Sequence, residues 1–178
     1  NKKLIDRQIV PEIVIDCAGK RYFTTKVTVA QYKAYASIME VDSDGLEDTL
    51  YQGMRLLQEL SGAMFTIDEL EQMNIEDFLH SLKLIHKVMQ GLVLETVMKL
   101  INVDQIEREQ SAFDEYDKEE GYEDEEEEYN LWHTQKEIIE RIIKLTIRLT
   151  RNSYSECMNE NIIELLEYMR FELDTIDE

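Results

Sequence analysis

Basic residues are scarce in this sequence: 19 Lys and Arg stand against 39 Asp and Glu, a formal charge of −20. Proteins bind a phosphate backbone by neutralising it with Lys and Arg, and the released counterions supply most of the affinity. Nucleic acid is therefore not an expected partner, and an anionic membrane surface is disfavoured for the same reason. Long apolar runs are missing too. No stretch reaches the roughly 20 apolar residues of a spanning helix, and no signal-peptide pattern is present, so the expected location is the cytosol. Cysteine is limited to Cys17 and Cys157, far apart and without CxxC spacing, which suggests neither a zinc site nor a disulfide framework. Both read as small, semi-buried hydrophobes.

Catalytic signatures are equally thin. His80, His86 and His133 are the three histidines; the first two lie six apart on one expected helix and project in different directions, where a chelating pair needs i and i+4. No P-loop, GxGxxG, GxSxG or HExxH occurs. Asp42-Ser43-Asp44-Gly45 resembles the opening of a calcium loop, but the further oxygen ligand and the Glu at position twelve are missing. That stretch reads as a helix boundary, and like Ser61-Gly62-Ala63 it offers no lysine to a phosphate. The expectation is a protein without catalytic residues, cofactor or metal.

What is present is a mostly helical α+β pattern. IVPEIVIDCAGKRYFTTKVTV, residues 9–29, has a β-branched run at Ile13-Val14-Ile15, a turn at Ala18-Gly19-Lys20, and renewed strand formers from Tyr22 to Val27, which predicts a β-hairpin. Pro11 stands at its entrance, where a missing N–H does little harm. From residue 30 the period lengthens to about 3.6. Tyr32, Tyr35 and Met39 mark one helix, and Leu46, Leu50, Met54, Leu57 and Leu60 a second that ends at Ser61-Gly62. Thr66 and Glu69 have capping-box spacing, and Asn74 is placed to cap a long helix from Ile75 to Ile101. On that helix Phe78, Leu82, Ile85, Met89 and Leu92 form one face. Leu84, Val88, Leu94, Val97, Met98 and Ile101 spread round the rest, so its later part must be buried on most sides, in its own domain or against another copy of the chain. A homo-oligomer is therefore possible.

Residues 113–129, FDEYDKEEGYEDEEEEY, carry 11 acidic residues and one base, Lys118. Self-repulsion and few aliphatics favour an extended linker that keeps its flanks apart but tethered. Beyond it, Ile138, Ile142, Leu145 and Leu149 form one stripe of a helix over residues 134–150, with Ile139, Ile143 and Ile147 beside it. Asn152-Ser153 breaks that helix, Ser155-Glu156-Cys157-Met158 suggests a new start, and Ile162, Leu165, Leu166 and Met169 mark a last amphipathic helix. Two helices rarely supply a core of their own, so this hairpin is expected to lean on the first domain or on a partner. The predicted organisation is a domain at 1–112, an acidic linker at 113–130 and a helical hairpin at 131–178.

The order hairpin, helix, helix, then MFTIDELEQMNIEDFLHSLKLIHKVM resembles the tail assembly chaperones of long-tailed bacteriophages of Gram-positive hosts, counterparts of the lambda-type G protein. Ile15-Asp16-Cys17-Ala18-Gly19-Lys20-Arg21-Tyr22 matches that family's "IDGKEY"-like hairpin, with Cys17-Ala18 lengthening the usual tight Asp-Gly turn. Phe65-Thr66-Ile67-Asp68-Glu69-Leu70 matches its "FT-x-DEL" segment. Residues 153–167 are similar to the short helical end of the longer, T-type products that many of these genes make by frameshifting. The resemblance implies a non-enzymatic chaperone in the host cytoplasm, absent from the finished virion. Its G-like part, 1–112, would hold the tape measure protein, and its T-like part, 131–178, would recruit tail tube subunits. Met89, Leu92, Val93, Val97 and Met98 are the candidate surface for the tape measure protein, since that stretch is more apolar than one core needs and Met adapts to varied partners. Ile139, Ile143 and Ile147 are the candidate surface for the tube subunit. The alternative is an acidic regulatory protein that mimics DNA and binds a basic partner.

Overall fold

The computed structural model describes residues 12–100 and 130–176, with side chains to residue 170. Pro11, Ile101 and the acidic run at 113–129 lie outside the described residues, as does every expectation about that run as a linker. No helix among the described residues is long and apolar enough to cross a membrane.

The chain opens with an antiparallel hairpin of β1 (Ile13–Cys17) and β2 (Lys20–Thr24), paired from Ile13 opposite Thr24 to Cys17 opposite Lys20. The turn is the two residues Ala18 and Gly19, at φ 51° and 72°. Two left-handed residues in a row match the twist of the flanking strands. The turn is thus tight, and the expected lengthening at Cys17-Ala18 is corrected: Cys17 is the last residue of β1. Alternation along β1 buries Ile13, Ile15 and Cys17 and leaves Asp16 exposed, where it accepts from Arg21 across the hairpin.

Helix α1 (Val29–Met39) starts at a capping box formed by Thr28 and Gln31, and buries Tyr32, Tyr35, Ala36 and Ile38. Helix α2 (Gly45–Leu60) buries Gly53, Leu56, Leu57 and Leu60. Leu46, expected at the head of its stripe, is 75% exposed, because residues 45–49 all precede the buried part of α2. Ala63 N–H donates to the Gln58 carbonyl while Gly62 and Ala63 adopt left-handed φ, and this six-to-one bond closes the helix. The expected capping box does open α3 (Ile67–Glu71): Thr66 Oγ1 accepts from Glu69 N–H, and the Glu69 carboxylate accepts from Thr66 N–H. Asn74 caps α4 (Ile75–Val88) through Glu76 N–H.

The expected uninterrupted helix from Ile75 is broken. Met89–Leu94 form a π-helical turn before α5 (Glu95–Leu100). A π turn holds an extra residue and rotates the helix beyond it, and here it buries Val93 and Val97 together with Met89.

The last part is three helices, α6 (Leu131–Thr150), α7 (Tyr154–Asn159) and α8 (Ile162–Ile176). Arg151 at φ 59° ends α6. Ser153 caps α7, two residues ahead of the expected start. The buried residues of the hairpin, of α1 to α5 and of α6 to α8 form one cluster. Helix α1 is its axis, packed against α2 on one side and against α6 and α7 on another. The two flanks of the acidic run thus share one core. Ile138, Ile139, Ile142 and Ile143 make an apolar face too wide for a lone helical hairpin, and it is buried in the core that the first 100 residues begin.

Candidate functional site

The core carries polar chemistry along α1, where the two flanks meet. Tyr32 O–H donates to Gln135 Oε1 at 2.8 Å, and both residues are fully buried. Burial pushes the Tyr32 phenol far above its ordinary range, so it stays a neutral donor. The Gln135 amide nitrogen points its N–H at Met98 Sδ, 3.6 Å away. One turn along, the Tyr35 hydroxyl lies 2.6 Å from His86 Nδ1 and accepts from Gln90 Nε2 at 2.9 Å. Burial pushes Tyr35 up to about 12 and pulls His86 below its usual value. Both groups are thus neutral near pH 7. Tyr35 accepts from Gln90, and with its own O–H given to His86 Nδ1 the histidine carries its proton on Nε2. The indole of Trp132 closes the cluster edge-on to Tyr35, with ring centroids 5.2 Å apart.

Charged groups seal the rim of this seam. Glu40 accepts from Lys136 Nζ at 2.8 Å, and its other oxygen lies 2.7 Å from His133 Nδ1. Lys136 first, and then His133, hold the Glu40 carboxyl below the ordinary carboxylate range. The Glu40 carbonyl accepts from Asn130 Nδ2, while Asn130 Oδ1 accepts from the N–H groups of Trp132 and His133. One asparagine thereby caps α6 and ties it to the end of α1. Lys33 and Tyr154 both donate to Glu140, and Lys33 is the main reason that the Glu140 carboxyl is held low. Backbone pairing adds a third tie, from Val29 N–H to the Glu160 carbonyl at 3.0 Å and from Ile162 N–H to the Val27 carbonyl at 2.9 Å.

This seam absorbs the residues expected to meet partners. Met89, Val93 and Val97 are fully buried, Leu92 and Met98 half-buried. Ile139 and Ile143 are fully buried and Ile147 is packed against the same core. Five of the eight are thus in the core and three half-buried, so neither set forms the continuous exposed apolar surface that was expected. The surplus apolar area seen on each segment belongs to one core that the acidic run divides in sequence.

No protein-family model, curated protein or solved structure matches the chain.

The surface offers a different feature. A shallow groove of about 260 Å³ lies where α1 turns into α2, lined by Ile38, Val41, Asp42, Ser43, Asp48, Tyr51, Gln52 and Arg55. Ile38 is its buried floor, while Val41 and Tyr51 are more than half exposed. Hydrogen bonds from α2 build it. Gln52 Nε2 donates to the Ile38 and Val41 carbonyls at 3.0 and 3.1 Å, Thr49 O–H bonds Ser43 Oγ, and Asp48 accepts from Asp44 N–H. Sequence reasoning followed the inward stripe of α2 and passed over this outward one, although Asp48, Tyr51, Gln52 and Arg55 recur at helical spacing. Ile75 and Leu79, one turn apart on α4, are a separate exposed aliphatic pair. Among the described residues, no three His, Cys, Asp or Glu side chains are grouped to hold a metal ion.

Proposed function

We propose that the chain is a non-enzymatic tail assembly chaperone of a long-tailed phage or prophage, acting in the host cytoplasm and leaving before the virion is complete. The observation that carries this reading is the order of elements about the Phe65–Leu70 segment. Four of the five residues that define the family-like "FT-x-DEL" stretch have work here: Phe65 and Leu70 are buried, and Thr66 and Glu69 make the capping box. A charge of −20 supports the reading too, since an acidic surface repels neighbouring copies and keeps an aggregation-prone client in solution. In this reading the tape measure protein is the client and tail tube subunits are recruited to it. The buried residues along the α1 seam hold the chaperone together, and clients meet its exposed surface.

The test is co-expression of the full chain with the tape measure protein and the tail tube protein of the same source. The tape measure protein is expected to be soluble and to co-purify with the chain, and tube subunits to join that complex. A tape measure protein that stays insoluble, with neither protein retained, would overturn the proposal.

A further inference from the structure

We propose that the groove between α1 and α2 docks a segment of a partner protein in which an apolar side chain is followed, one helical turn away, by Lys or Arg. The floor and walls are apolar: Ile38 below, Val41 and the Tyr51 ring at the sides. The volume of about 260 Å³ suits one or two side chains and not a folded domain. The lip is acidic, with Asp42 and Asp48 lining the groove and Asp44 and Glu47 next to them in sequence. Arg55 is the one base among the lining residues, and it leans toward Glu59 on its own helix, 4.0 Å away. A cation leaving the apolar anchor therefore meets two carboxylates beside the Tyr51 ring, and the face of such a ring attracts cations through its quadrupole.

The groove is also held in place before any ligand arrives. The two Gln52 bonds and the Thr49–Ser43 and Asp44–Asp48 bonds fix the connection between the helices, so little ordering cost falls on binding. A second copy of this chain is disfavoured as the occupant, because it brings another −20 of charge and the same acidic lip. The inference rests on the groove's own chemistry. The chaperone reading adds only whose segment enters it.

The probe is a short synthetic peptide of Leu and Lys, amphipathic as a helix, titrated into the isotope-labelled full chain, with its Glu-for-Lys counterpart as control. Amide shifts are expected to change at residues 38–55, and the Glu peptide to leave them unmoved. Tyr51→Ser and Asp48→Asn are each expected to weaken binding by about tenfold, a loss typical of one good contact. Both side chains are exposed, and the amide oxygen of Asn can still accept from Asp44 N–H, so the fold is retained. Ile75→Ser, at the exposed aliphatic pair on α4, is expected to bind as well as the unaltered chain. Shifts centred on α4, equal binding of the Glu peptide, or a concentration-dependent dimer lost on Tyr51→Ser would each overturn the proposal. If the peptide fails to bind while the tape measure protein is still retained, the groove is wrong and the chaperone reading is untouched.

Discussion

At the scale of single residues, the buried pair Tyr32 and Gln135 lies 103 positions apart in sequence and is joined by one 2.8 Å hydrogen bond. A buried hydrogen bond adds little net stability while intact but is costly to break on one side only, because the abandoned group has been stripped of water. Tyr32→Phe leaves the Gln135 carbonyl oxygen without its donor in a fully buried site. The expected loss is about 1 to 3 kcal/mol, read as a lower urea midpoint with an unchanged slope. Pairing it with Gln135→Leu, which removes the orphaned oxygen, should recover part of the loss. A purely additive double variant would mean that the two side chains do not interact across the seam.

Among the elements, α4 and the π turn meet α1 through His86, Gln90 and Tyr35, and this joint is expected to respond to pH. Burial holds the folded-state pKa of His86 below its ordinary value, about 6.5 in an unfolded chain. Above that value the histidine is neutral in both states and its contribution is complete. As pH falls below it, the unfolded chain takes up a proton that the folded chain resists, so stability declines until the folded pKa is passed. Glu40 and Glu140, both held low by lysines, add their losses in a separate window below about 4.3. The melting temperature is thus expected to drop between about pH 7 and pH 5.5, and less so in His86→Gln. An equal drop in the variant would remove His86 as the cause.

Elements and their caps were readable in the sequence because they depend on near neighbours. Thr66 with Glu69, Asn74 before Glu76, and the β-branched run of β1 each name their own partner within a few positions. The Thr28–Gln31 capping box had the same spacing and could have been found the same way. The π turn was not readable, since Gly91 tolerates it but does not require it, and the partner of Gln90 within it, Tyr35, is distant in sequence. Burial of the second Ile stripe was hidden for a related reason. Ile139 and Ile143 show an apolar face, but periodicity does not say whether a neighbour in this chain or in another covers it. The groove was hidden as well, because Val41 and Tyr51 come together only when α1 and α2 are folded.

At the scale of the whole molecule, the described residues share one core that a strongly acidic run interrupts in sequence. Were residues 12–100 and 130–176 separate units, they would unfold separately. A shared cluster about α1 instead predicts one cooperative transition. The sequence provides a suitable probe: Trp132 is the one tryptophan of the chain, and it sits in α6 against Tyr35 of α1. Urea unfolding of the full chain, followed by Trp132 fluorescence and by helical circular dichroism together, tests this most directly. Coincident curves with one midpoint are predicted, and Tyr32→Phe should move both by the same amount. A fluorescence transition completed at lower urea, with most of the helical signal still in place, would contradict the shared core.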